Sequence, residues 1–384
     1  MRLGRSAILW VSIALLFPAL LRAQEVTPTD ALALEQQGKW TEAAQAWRGY
    51  IKKAPGDAGA YASLGVDLAR LQKYDEAAAA YRQALKLNPK LPGLELNLGL
   101  AEFKQGHFPA AAAAFQAALN DDPSNAQART LLGMSYYGAK KFALAEEYLE
   151  PASKADPDNA ELHQLLAQSC LWSRKMDCAT EQFRLLLQQN PDSAPTHILM
   201  GEALDGLGQT PEAIKEFEAA EKISPNEPNV HFGLGYLHWK SHEYDVARQE
   251  FEQELAVDPA NAQALAYLGD MEWKNDHPEA ALSLLVRAVK INDSLRIVHT
   301  DLGAIYLQQK EYKSAKASLL RAIALDPDQP DAHYQLGRLY QATGDKVSAE
   351  KELHRAQELH QKAEDKLLEK MSSSPPALTP PAQP

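Results

Sequence analysis

A period of 34 residues runs through this chain and limits its fold more than any other feature. With Gln24 taken as position 1, ten units fill residues 24–363 without an insertion. Position 20 is Ala in every unit, from Ala43 through Ala213 to Ala349. Position 8 is Gly or Ala throughout, as in Gly65, Ala167 and Gly337. Position 7 is Leu or Met except at Asp30, and position 24 is always large and apolar, as in Trp47, Phe115, Phe217 and Leu285. Position 32 is Pro except at Asp293 and Gln361.

These spacings place 4, 7, 8 and 11 on one helical stripe and 20, 24, 27 and 28 on another. Gly or Lys near positions 15–16 separates the two stripes, and the Pro ends the second helix because it lacks a backbone donor. Each unit therefore reads as a helical hairpin with an open apolar side. Stacking the next hairpin covers that side and gives a quasi-one-dimensional array. The expected fold class is all-α, an α–α superhelical solenoid.

The pattern resembles the tetratricopeptide repeat family, whose units carry an aromatic at 4, Leu-Gly at 7–8, Tyr at 11, Ala at 20, an aromatic at 24, Ala at 27 and Pro at 32. The resemblance implies this organisation: an atypical first repeat or cap over 24–57, nine tandem repeats over 58–363, the end of a capping helix over 364–371, and a disordered Pro/Ser-rich tail over 372–384. Repeat one departs from the pattern because Pro28 lies within its first helix. Glu254 stands where position 27 is usually Ala, so it is expected to reach solvent or a cation. Pro278 and Asp293 make the boundary of repeats eight and nine the least regular, and local bending is expected there.

Ahead of the repeats, Arg2 and Arg5 precede an apolar run from Ala7 to Leu21. That run suits the core of a signal peptide and is short for a membrane span. Residues 1–23 are therefore expected to direct export, making the mature protein periplasmic or secreted. An uncleaved N-terminal anchor is the alternative, and membrane contact is expected only in that case.

The formal charge of −12 offers no basic footprint for nucleic acid. Neither a phosphate-binding loop nor an H-E-x-x-H motif occurs, and Gly233-Leu-Gly235 sits inside a helical unit, so no cofactor, metal site or catalytic residue is expected. His163, His197, His231, His299 and His333 all occupy position 4. Rings one repeat apart are roughly 8–10 Å from each other, too far to share an ion that needs ligands at about 2 Å. They are expected to fill the family's aromatic slot. Cys170 and Cys178 flank one hairpin turn. Export favours a bridge, whereas position 19 normally faces away from the core, so the sequence leaves the pairing open.

In the family, first-helix positions 2, 5, 6, 9, 12 and 13 line the concave face. Here they include Phe103, Tyr137 and Trp172, and then a denser group of Phe232, Tyr236, Trp239, Tyr267 and Trp273. Trp239 and Trp273 lie one period apart and are expected to stack. Lys240 and Lys274 stand beside them, with Glu202, Asp205 and Asp270 adding acid. Exposed Trp and Tyr are favoured anchors at protein interfaces. The expected function is a non-enzymatic scaffold or adaptor of the cell envelope that holds a peptide or partner segment in this groove. The alternative is a structural subunit of an envelope assembly that binds through its convex faces or termini.

Overall fold

The computed structural model describes residues 27–373. The signal segment expected over 1–23, and the tail beyond Ser373, lie outside the described residues. The chain divides into two compact units, 1–156 and 157–384. Among the described residues every regular element is an α-helix, and no helix is long and apolar enough to cross a membrane.

Unit one holds α1 (Pro28–Gln36), α2 (Trp40–Ile51), α3 (Ala58–Arg70), α4 (Tyr74–Leu87), α5 (Leu94–Lys104), α6 (Phe108–Asp121), α7 (Ala126–Gly138) and α8 (Phe142–Ala155). Unit two holds α9 (Ala160–Trp172), α10 (Met176–Gln189), α11 (Ala194–Gly206), α12 (Thr210–Ile223), α13 (Val230–Lys240), α14 (Tyr244–Val257), α15 (Ala262–Lys274), α16 (Pro278–Ile291), α17 (Arg296–Gln308), α18 (Tyr312–Leu325), α19 (Pro330–Thr343) and α20 (Lys346–Ser373). Odd and even helices pair as the two arms of successive hairpins.

The repeat signature explains how the arms meet. Position-20 alanines are buried in all ten units, because a larger side chain would hold the arms apart. The position-24 side chain lies over the small residue at position 8. A Cβ on Gly99, for example, would come within 2.5 Å of the Phe115 ring. Pro28 opens α1 rather than interrupting it, and Thr27 caps that helix in a capping box with Asp30. The first repeat is thus a complete hairpin with a short first arm. At the other end, α20 continues the second arm of repeat ten through Ser373.

The hairpin turn has one constant element. Position 15 is left-handed in every repeat, yet glycine fills it only at Gly38, Gly106, Gly208 and Gly344. Gln72, Lys140, Arg174, His242, Asp276 and Lys310 adopt the same positive φ with a Cβ in place. Such a residue carries a cost that glycine does not. Lys140→Gly is accordingly expected to stabilise the chain by about 0.5–1 kcal/mol. An unchanged urea midpoint would show that the turn bears no such strain.

The position-4 histidines act as staples. In His163, His197, His231 and His333, Nε2 lies 2.9–3.2 Å from the carbonyl of the Pro six residues earlier. The other nitrogen, Nδ1, lies 2.6–2.8 Å from Gln182, Glu216, Glu250 or Glu352 on the second arm. Each ring thus ties both arms of its repeat to the loop before it. His299 makes the loop contact with Asp293 at 3.0 Å, so the missing proline leaves this link intact. Helices α15 to α18 keep the lengths of their counterparts across this boundary.

One buried group in unit one opposes folding. Asp67 on α3 is fully enclosed, and neither carboxylate oxygen has a hydrogen-bond partner. Burial, helped by the nearby Glu35 charge, pushes its carboxyl up to about 7 from 3.8. Between those values the folded chain holds a proton that the unfolded chain releases, so stability falls as pH rises through this window and levels off above it. Asp67→Asn removes that loss. It should raise stability above pH 7 by about 2 kcal/mol, less than the full shift would convert to, because an Asn amide enclosed there also lacks hydrogen-bond partners. Equal urea midpoints for the two proteins at pH 8 would contradict the assignment.

Candidate functional site

Repeat seven begins unlike most others, and the site grows from that difference. Glu227-Pro228-Asn229-Val230 forms a turn in which Val230 N–H donates to the Glu227 carbonyl at 3.3 Å. Asn229 takes φ 69° and ψ 3°. Pro followed by a left-handed Asn is the chemistry of a type II turn. It shortens α13 to 11 residues, against 13 in α11 and α15. The start of α13 is left without a side-chain cap of its own.

Glu254 supplies the missing acceptor from α14. It is only 1 % exposed. Its Oε2 accepts from Phe232 N–H at 3.1 Å, and its Oε1 accepts from Asn229 N–H at 3.1 Å and from the Asn261 amide at 2.8 Å. Asn261 in turn caps α15 through Ala264 N–H at 3.0 Å. The expectation that Glu254 reaches solvent or a cation is therefore wrong. The carboxylate is paired with backbone donors at a helix N-terminus, where negative charge is favoured.

This cap fixes Phe232, and an aromatic group builds outward from it. Phe232 stacks beside Tyr236 with centroids 6.4 Å apart, and Tyr236 stacks beside Trp239 at the same distance. Tyr267 of α15 meets all three at 5.0–6.0 Å and lies flat against the buried Phe251. Burial pushes the Tyr267 hydroxyl well above the usual phenol range, so it stays protonated. Trp239 donates its indole N–H to Asp270 at 3.1 Å, while the Lys274 ammonium lies 4.9 Å from its ring centre.

Trp239 and Trp273 do not stack. Tyr267 occupies the space beside Trp239, and Trp273 packs among apolar side chains that include Leu265 and Leu302. Trp273 lines a separate hollow of about 400 Å³ with Leu307, Tyr312 and Arg338. Phe103 and Tyr137, in unit one, instead close their own hairpins edge-on against Phe108 and Phe142. Trp172, 55 % exposed, ends α9. Cys170 and Cys178 are joined by a disulfide with Cα atoms 5.8 Å apart, closing the turn that contains Arg174.

A hollow of about 600 Å³ spans α11, α13 and α15. Phe217, Phe232, Tyr236 and Tyr267 provide its aromatic lining, and Glu202 and Asp205 provide carboxylates from α11. Arg174, Asn229 and Gln263 also line it, at positions that the aromatic pattern did not single out. Gly233 is what brings Phe217 to the surface of the hollow, since a Cβ there would lie 2.1 Å from that ring. Asp205 is paired with Lys240 at 2.6 Å and Asp270 with Lys274 at 2.8 Å. Deeper on α17, the buried Asp301 keeps one oxygen unpartnered, and burial raises its carboxyl well above the usual range.

The lining can bind an extended segment through ring faces and a few polar groups. Among the described residues it brings together no nucleophile with a general base. The position-4 ring of His231 has Glu250 at 2.8 Å and Glu221 at 4.0 Å, a contact that belongs to the staple described above. His238 and His242, four residues apart, engage Glu243 and Tyr244 separately.

Comparison with known proteins agrees with the architecture. Models described as tetratricopeptide repeat match residues 31–57, 102–169 and 232–295, and one described as TPR repeat matches 67–106, 201–241 and 303–344. The structure "APC/C hetero-tetramer Cut9-Hcn1" is similar at a TM-score of 0.52 and 16 % identity, over 86 % of this chain and 80 % of that one. "YrrB: a TPR protein with an unusual peptide-binding site" is similar at 0.42 and 20 % identity, over 52 % of this chain and 99 % of that one. No curated protein matches significantly.

Proposed function

Because the chain belongs to the tetratricopeptide repeat family, whose arrays mediate protein–protein contacts, we propose that it is a non-enzymatic scaffold of the cell envelope that holds an extended partner segment in the hollow over α11, α13 and α15. The observation that carries the reading is the group formed by Phe232, Tyr236 and Tyr267. These rings are held in place by a capped helix and a buried Phe251, yet they still line an open hollow. Rigid aromatic surface loses little entropy on binding, which is why such residues dominate interface energies. The envelope location is supported by the basic and then apolar start of the sequence and by the disulfide, which suits an oxidising compartment.

The test is affinity capture from envelope extract with the wild-type chain beside Tyr236→Ala, with circular dichroism to verify the fold of the variant. A partner held through the hollow is expected to bind the variant at least tenfold more weakly. A stoichiometric partner held equally by both would move the function to the outer faces or the termini.

A further inference from the structure

The hollow carries a chemical preference. Of its two carboxylates, Asp205 already has Lys240 as a counter-ion at 2.6 Å. Glu202 has no hydrogen bond or ion pair among the described residues. Its side chain reaches solvent, but it stands in a concavity where surrounding protein displaces enough water to raise its carboxyl above the ordinary range. An acid in that setting gains from any donor brought to it, and gains most from a cation.

Phe232, Tyr236 and Tyr267 line the same hollow, and aromatic rings attract cations and pack against aliphatic stems. The nearby cations do not satisfy Glu202. Lys240 is engaged by Asp205, Lys274 by Asp270 and Arg296 by Asp331. Arg174 also lines the hollow, from the turn before α10, and has no partner among the described residues. A chain laid across this surface therefore meets two unpaired charges of opposite sign, one from each of two adjacent repeats.

We propose that the hollow is an anchor pocket for a lysine or arginine side chain of a protein partner, with its stem along the ring wall, its charged head on Glu202, and a carbonyl or acid of the same segment on Arg174. The proposal rests on the groove reading above and adds the identity of the anchor.

The experiment is a selection of random twelve-residue peptides displayed on phage, run against the full chain, Glu202→Gln and Tyr236→Ala. Peptides selected on wild type should share a basic residue at one position, and that preference should fall to background on Glu202→Gln. A synthetic peptide from the selection should bind Glu202→Gln at least tenfold more weakly than wild type. Replacing its basic residue by norleucine should cause the same loss on wild type and little further loss on the variant. If selected peptides lose affinity for Tyr236→Ala but bind Glu202→Gln as tightly as wild type, the cation anchor is wrong and the groove stands. If no selected peptide depends on Tyr236, the groove itself is wrong and the anchor falls with it. The norleucine comparison separates a true anchor from general attraction of basic peptides to an acidic chain, because that attraction persists on the variant and weakens with salt.

Discussion

Glu254→Ala is expected to be the most damaging single substitution in unit two, costing about 3–5 kcal/mol. The variant leaves two backbone N–H groups at the start of α13 and one Asn261 N–H without their acceptor, around a carboxylate that is itself almost wholly buried. Hydrogen bonds to a charged group contribute about 1.5–3 kcal/mol each, and those sharing one carboxylate do not add fully. Since whole domains are stable by only about 5–15 kcal/mol, such a loss should be plain in a urea melt. Glu254→Gln keeps one acceptor oxygen and should lose roughly half as much. A variant with wild-type stability but a mispositioned Phe232 would separate the effect on the hollow from the effect on the fold. Two variants as stable as wild type would mean that the cap does not exist in solution.

Opening the Cys170–Cys178 bridge is the second large effect. The bridge joins residues eight apart in sequence, and the chain-entropy model gives about 2.5 kcal/mol for a loop of that size. Reductant, or the double substitution of both cysteines by Ser, should lower the unfolding temperature by several degrees. The same loop carries Arg174, whose left-handed backbone is held between the two cysteines. Affinity for any segment that contacts Arg174 should therefore fall on reduction, even at temperatures where the fold persists. Identical melting with and without reductant would show that the bridge is not formed.

Register was the most readable property of the sequence. Ala at position 20, Gly or Ala at position 8 and large apolar residues at position 24 describe one contact between two arms, and all eight repeats with Gly at position 8 form it. The aromatic residues at the site were readable as a group, but their partners were not. Two tryptophans one period apart are carried on separate helices, and ring contact also depends on what lies between them. Here Tyr267, at position 6, takes that place. Glu254 was misread because position 27 was considered alone. Its meaning lies in the Pro228-Asn229 pair, which shortens α13 and leaves its amides in need of an acceptor. The disulfide could not be decided from position 19, because the question turned on how close the two arms approach beside a tight turn. Arg174 joins the hollow from the turn, where a search along first-helix stripes does not look.

The histidine staples also bear on how the molecule comes apart. All five lie in unit two, where each joins a repeat to the loop before it. In unit one the same position holds Thr27, Tyr61, Glu95 and Arg129, none of which can reproduce that imidazole bridge. A chain of nearest-neighbour links makes openings spread, since freeing one repeat exposes the next loop. The stapled repeats should therefore exchange their amide hydrogens in cooperative blocks, repeats five to seven and repeats nine to ten, on either side of repeat eight, which carries Leu265 at this position. The earlier repeats should open in smaller steps, so that the two halves of a uniform-looking sequence have different local lifetimes.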